Sequence, residues 1–148
     1  MAAVAARLIA AHDVAVVVVG AAHDREAARA IESWLRRHAP EALGRLLDLT
    51  GRTSVGALIG LIARMTAFLS NDSGAMHVAA ALDRPIVATF GPTDERRTRP
   101  IGGHTVITAP AFCRPCLLRD CPIDHRCMTR ITVDAVYDAL ATRLAVAG

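Results

Sequence analysis

Ser70-Asn71-Asp72-Ser73-Gly74-Ala75-Met76-His77-Val78-Ala79-Ala80-Ala81-Leu82-Asp83-Arg84-Pro85, followed by Ile86-Val87-Ala88-Thr89-Phe90-Gly91-Pro92-Thr93, decides how this chain folds. It reads as strand, polar turn, short helix, strand and Gly-Pro loop. Asp72 and Ser73 are good N-cap residues, and Gly74 carries no side chain to obstruct the helix entrance. A helix N-terminus offers free N–H groups and the positive end of its dipole, which suits an anion such as a diphosphate. His77 lies four residues after Ser73, about one turn on, and shares a face with that entrance.

Working outward, the same grammar repeats. Ala2–Ala11 reads as a helix, Val14–Val19 as a buried strand, and Asp24–His38 as a helix with Ala27, Ala28, Ile31, Trp34 and Leu35 inward. Leu46–Leu49 is a short strand. Thr53–Arg64 is a helix opened by a Thr53/Ser54 cap, with Leu58, Ile59 and Ile62 inward. Thr66–Ser70, Pro85–Phe90 and His104–Thr108 read as strands, and Thr132–Val146 as a closing helix. Strands separated by helices imply right-handed crossovers and an α/β fold, a Rossmann-like parallel sheet with helices on both faces. Ligands of such sheets bind at the carboxyl ends of the strands. The turns Gly20–Asp24, Gly51–Thr53, Asp72–Gly74 and Gly91–Thr93 are expected on that edge.

Composition bounds the function. With 148 residues and 53% apolar side chains, one domain with a real core is expected, and disorder is excluded. Aromatics make up only 3%, so the core is built from Ala, Val, Leu and Ile. All 17 basic residues are Arg, and the net charge of +3 is too small for a nucleic-acid footprint. The one basic cluster, Arg96, Arg97 and Arg99, reads first as a solvated loop, with phosphate binding as the alternative. No run approaches the roughly 20 apolar residues of a transmembrane helix, and the N-terminus resembles no targeting signal. The expected location is the cytoplasm; a membrane-surface substrate would require no anchor.

The ordered segments Asn71-Asp72-Ser73-Gly74-x-x-His77-x-Ala79-Ala80-Ala81, Arg84-Pro85 and Phe90-Gly91-Pro92-Thr93 resemble the lipopolysaccharide heptosyltransferases of glycosyltransferase family 9. Leu49-Thr50-Gly51-Arg52-Thr53-Ser54 upstream, and a Cys-rich loop and final helix downstream, extend the match. The resemblance implies the C-terminal, donor-binding lobe of a GT-B enzyme. Such an enzyme passes heptose from ADP-heptose to the lipopolysaccharide inner core, working in the cytoplasm or peripherally at the inner membrane. Asp72, Ser73, Gly74 and His77 then stand where the family holds the donor's diphosphate and sugar. Ser73 and Gly74 would supply N–H groups, His77 an imidazole N–H, and Asp72 a contact to sugar hydroxyls or a fixed turn. Thr53 falls in the adenine-contacting turn, and Asp24 near an acidic ribose contact. His12, His23, His38 and His104 read as surface or packing residues.

The family's N-terminal acceptor lobe, its acidic base and a donor-phosphate lysine have no counterpart here. The domain is expected to lack its own first strand and to be inactive alone, since inverting transfer needs a base on the acceptor oxygen. Two other readings compete: a non-catalytic nucleotide-sugar-binding module, and a metal-dependent interaction domain built on Cys113-x2-Cys116-x4-Cys121-x5-Cys127. Those four thiols are candidate zinc ligands, reduced structural thiols or disulfides.

Overall fold

A computed structural model describes residues 1–147. The chain forms two compact units, Met1–Gly60 and Leu61–Gly148.

In the first unit, α1 (Ala2–Ala11) spans the predicted residues, and Val4, Ala5 and Leu8 bury its inner stripe. Strand β1 (Val16–Val18) pairs in parallel with β2 (Leu46–Asp48), Val17 opposite Leu47. β1 is half-buried rather than buried, because its ladder has a single partner. Between them, α2 (Arg25–His38) packs Leu35 with Ala39 and Ala42, joined by Ile9, Ile31, Trp34 and Leu46. Ala28 is also buried, but Ala27 faces solvent, so the inner stripe is narrower than its apolar residues suggested. A 3-10 turn at Ala22–Asp24 precedes α2, and another at Pro40–Arg45 leads into β2. Helix α3 (Val55–Ala63) starts two residues later than expected, and the boundary between the units falls within it, after Gly60. Its Ile62 is buried, but Ile59 is 40% exposed, as a helix apolar on all sides cannot bury every residue.

The second unit is a three-stranded parallel sheet in the order β3 (Phe68–Asn71), β4 (Ile86–Phe90), β5 (Thr105–Thr108). Every residue of the central strand β4 is buried. Ser70 pairs with Ala88 and Thr89 with Ile107. Helix α4 (Gly74–Ala81) connects β3 to β4 and buries Met76 and Ala79. Helix α7 (Val133–Ala147) packs Val136 and Leu140 inward and lies on β4 and β5. Two four-residue helices, α5 (Glu95–Thr98) and α6 (Arg126–Thr129), lie where the sequence suggested only loop.

All strand pairs are parallel, as helix-separated strands require. They form a sheet of two and a sheet of three, each inside its own unit.

Candidate functional site

The polar turns fall as one pair in each unit, at the carboxyl ends of that unit's strands. In the second unit, β3 ends at Asn71 and the chain turns through Asp72 into α4. Ser73 occupies the N-cap position with extended backbone, but its hydroxyl does not cap the helix. It exchanges a 2.9 Å hydrogen bond with the hydroxyl of Ser70 instead. The Met76 N–H donates to the Ser73 carbonyl at 3.2 Å, while those of Gly74 and Ala75 have no acceptor among the described residues. A Cβ added at Gly74 would meet nothing within 4 Å, so the approach to these N–H groups is open.

His77 is exposed, and among the described residues its imidazole has no hydrogen-bond or ion-pair partner. The contrast with other histidines is direct. His38 Nδ1 bonds to the carbonyl of Trp34 at 2.9 Å and stacks on that indole, and His104 Nε2 bonds to the carbonyl of Ile101 at 2.8 Å. His77 is thus not a satisfied packing histidine. Met76 beside it is fully buried core, as the sequence suggested.

Asp72 is held from a distance. Its Oδ2 accepts a 2.9 Å hydrogen bond from the Thr98 hydroxyl at the end of α5. Sequence reasoning missed Thr98, because a partner 26 residues away leaves no local signal. Asp94 caps α5 by accepting from the Arg96 N–H at 3.1 Å and binds the Arg96 guanidinium at 2.9 Å. That guanidinium holds the Asp94 carboxyl below its ordinary range. So one member of the basic cluster is already paired, while Arg97 and Arg99 face solvent. A depression of about 340 Å3 lined by Arg64, Met65, Thr66, Asp83, Arg84 and Pro85 lies at the opposite edge, before β3 and β4.

The Cys-rich loop runs from the end of β5 to α6. Arg114 Nε donates to the Gly91 carbonyl at 2.7 Å, and its Nη2 binds Glu95 Oε2 at 2.7 Å. All four cysteines are free: Cys127 is buried, and Cys113, Cys116 and Cys121 are half-buried. Among the described residues, no group of three or more His, Cys, Asp or Glu is placed to hold a metal ion. Cys121 Sγ accepts the His125 N–H at 3.3 Å. Backbone N–H groups of Ile123, then His125 and Asp124, pull its thiol below the ordinary value.

In the first unit, Asp24 and Thr53 occupy different turns. Asp24 Oδ2 accepts the Ala21 N–H at 2.8 Å, and Oδ1 lies 3.7 Å from His23 Nε2. A Cβ at Gly20 would sit 2.8 Å from that Oδ2, so the carboxylate is folded over its own turn. Gly51, at φ +68°, donates its N–H to the Gly20 carbonyl at 2.8 Å and accepts from Arg25 Nη2 at 3.4 Å. These bonds join the two turns. Thr53 is half-buried, and its hydroxyl has no partner among the described residues. Ser54, not Thr53, caps α3, accepting from the Ala57 N–H at 3.2 Å.

Parallel strands flanked by helices, with polar turns at their carboxyl ends, define an α/β protein. The protein-family model described as glycosyltransferase family 9 (heptosyltransferase) matches residues 2–126, and the chain belongs to that family. It is 43% identical over 86 residues to a lipopolysaccharide heptosyltransferase 2 of Salmonella typhimurium, covering 58% of this chain and 24% of that one. It is 37% identical over 94 residues to a lipooligosaccharide heptosyltransferase 2 of Haemophilus influenzae, covering 63% and 26%. The solved ADP-heptose heptosyltransferase II of E. coli superposes with a TM-score of 0.80 at 32% identity, over 98% of this chain and 40% of that chain. A family 9 glycosyltransferase of Veillonella parvula shares the fold, with a TM-score of 0.76. The chain spans about a quarter of the length of the curated relatives it matches. No helix among the described residues is long and apolar enough to cross a membrane.

Proposed function

We propose that this chain is the donor-binding half of an inverting GT-B glycosyltransferase that transfers heptose from ADP-heptose to the lipopolysaccharide inner core. The observation that carries the reading is the α4 entrance: uncapped N–H groups, open space over Gly74 and an unpartnered, exposed His77 on one short segment. An unsatisfied helix N-terminus suits the donor's diphosphate. His77 would donate an imidazole N–H to it. A carboxylate repels phosphate, so Asp72 suits the sugar hydroxyls. Thr53, with its free hydroxyl, suits the nucleotide. Asp24 remains a candidate for the ribose, although one of its oxygens already closes its own turn.

The chemistry asked of these residues is stabilisation of the departing diphosphate. Deprotonation of the acceptor hydroxyl falls to a base outside this chain. On this reading the 148-residue chain binds donor and does not turn it over, since proximity of both reactants, worth about 7–11 kcal/mol, needs a second lobe. The acceptor would be engaged in the cytoplasm at the surface of the inner membrane.

Calorimetric titration with ADP tests the reading. His77→Ala is expected to weaken binding by about 1.5–3 kcal/mol, the value of a hydrogen bond to a charged group. Gly74→Val places side-chain atoms over the α4 N–H groups and is expected to weaken it as well. Unchanged affinity in both variants refutes the site, and sugar transfer by the chain alone refutes the assignment of the base.

A further inference from the structure

We propose that Arg114, carried on the four-cysteine loop, is a positioning residue for the donor turn, acting on Asp72 through α5; this rests on the donor-site reading above. Its side chain is only 12% exposed. The planar guanidinium offers five N–H donors in a fixed fork. Nε donates to the Gly91 carbonyl at 2.7 Å, Nη1 to the Ala109 carbonyl at 3.5 Å, and Nη2 to the Thr93 carbonyl at 3.4 Å and Glu95 Oε2 at 2.7 Å. One side chain therefore ties together the exits of β4 and β5 and the first residue of α5.

The same loop grips the β4 exit elsewhere. The Leu117 N–H donates to the Pro92 carbonyl at 2.9 Å. A Cβ at Gly91 would lie 2.5 Å from Met128 Sδ, so α6 packs directly on that backbone.

Helix α5 has four residues, too few to be stable by itself. Its Asp94–Arg96 pair is solvent-exposed on the arginine side and local to the helix, so it does not fix where α5 sits. Two long-range contacts do: Glu95 to Arg114 at one end, and Thr98 to Asp72 at the other. The Thr98 hydroxyl has one proton and two acceptors within reach, Asp72 Oδ2 at 2.9 Å and the Asp94 carbonyl at 3.3 Å. The shorter, charged acceptor is the stronger. Arg114 thus holds α5 where Thr98 can present its proton to Asp72, which sets the carboxylate's orientation before a sugar arrives. Lys cannot reproduce the arrangement, because an ammonium lacks the fork.

The test is calorimetry on the 148-residue chain with ADP and ADP-heptose as separate titrants. Arg114→Met and Thr98→Val are each expected to weaken ADP-heptose about tenfold, while ADP, which lacks the sugar that Asp72 would meet, weakens less than about threefold. A residue that merely keeps the fold intact would move both ligands together. Equal losses for both ligands, or unchanged ADP-heptose affinity in both variants, overturn the inference while leaving a site that responds to His77→Ala standing. Failure of the wild-type chain to bind either ligand overturns the donor reading and this inference with it. Should Arg114→Met not fold, Thr98→Val decides, since Thr98 lies on the surface.

Discussion

Asp24 and Asp72 each follow a strand and each lie just before a helix, yet they are held in opposite ways. Asp24 closes on its own turn, accepting the Ala21 N–H three residues back and resting over Gly20. Asp72 is tied to Thr98, 26 residues away, and the helix beside it is left uncapped. A carboxylate satisfied locally stabilises a turn. One held by a distant hydroxyl, beside a helix without a side-chain cap and an exposed histidine, depends on the fold of the whole unit for its position.

Glycine substitutions break the comparison most sharply. Gly51 has a left-handed backbone, and a Cβ there would lie 2.9 Å from the Ala22 Cα. Gly51→Ala is expected to cost about 2–4 kcal/mol, combining left-handed strain with overpacking against backbone. Gly74→Ala, with open space around it, is expected to change stability by no more than about 0.5 kcal/mol. Urea denaturation of the two variants measures the difference, and equal destabilisation would show that Gly51 is no more tightly packed against the Asp24 turn than Gly74 is at the α4 entrance.

The types of the longer elements were readable from hydrophobic period; α1 was legible to the residue, while the strand before Asp72 starts two residues later and ends one residue later than expected. Local polar chemistry was readable in part. Ser54 does cap α3, but Ser73 spends its hydroxyl on Ser70, a contact that a generic capping rule cannot foresee. The long-range framework was not readable at all. Thr98, Glu95 and Arg114 sit in two stretches without apolar period, and only the folded chain brings them to Asp72 and Gly91. The inward face of α3 was overstated for a related reason: period alone cannot say which side of an apolar helix, Ile59 or Ile62, meets a core.

The smallest expected effect concerns the loop behind the second turn. Backbone N–H groups of Ile123, His125 and Asp124 favour the Cys121 thiolate, so its folded pKa lies below the ordinary thiol value. Thiolate is the reactive species. Iodoacetamide labelling followed by peptide mass spectrometry should therefore show Cys121 becoming reactive at lower pH than a free thiol such as glutathione. Buried Cys127 is expected to stay unlabelled until the chain is denatured. Coincident pH profiles for Cys121 and glutathione would show that the N–H groups do not favour the thiolate in solution.

On the proposed reading, a nucleotide diphosphate seats at the α4 entrance beside His77. Proton NMR of the imidazoles during titration with ADP addresses it directly, because His38 and His104 serve as internal controls. The His77 ring signals are expected to shift saturably with ADP, while those of His38 and His104, already bonded to backbone carbonyls, stay in place. Saturable binding that leaves His77 unmoved would contradict the account.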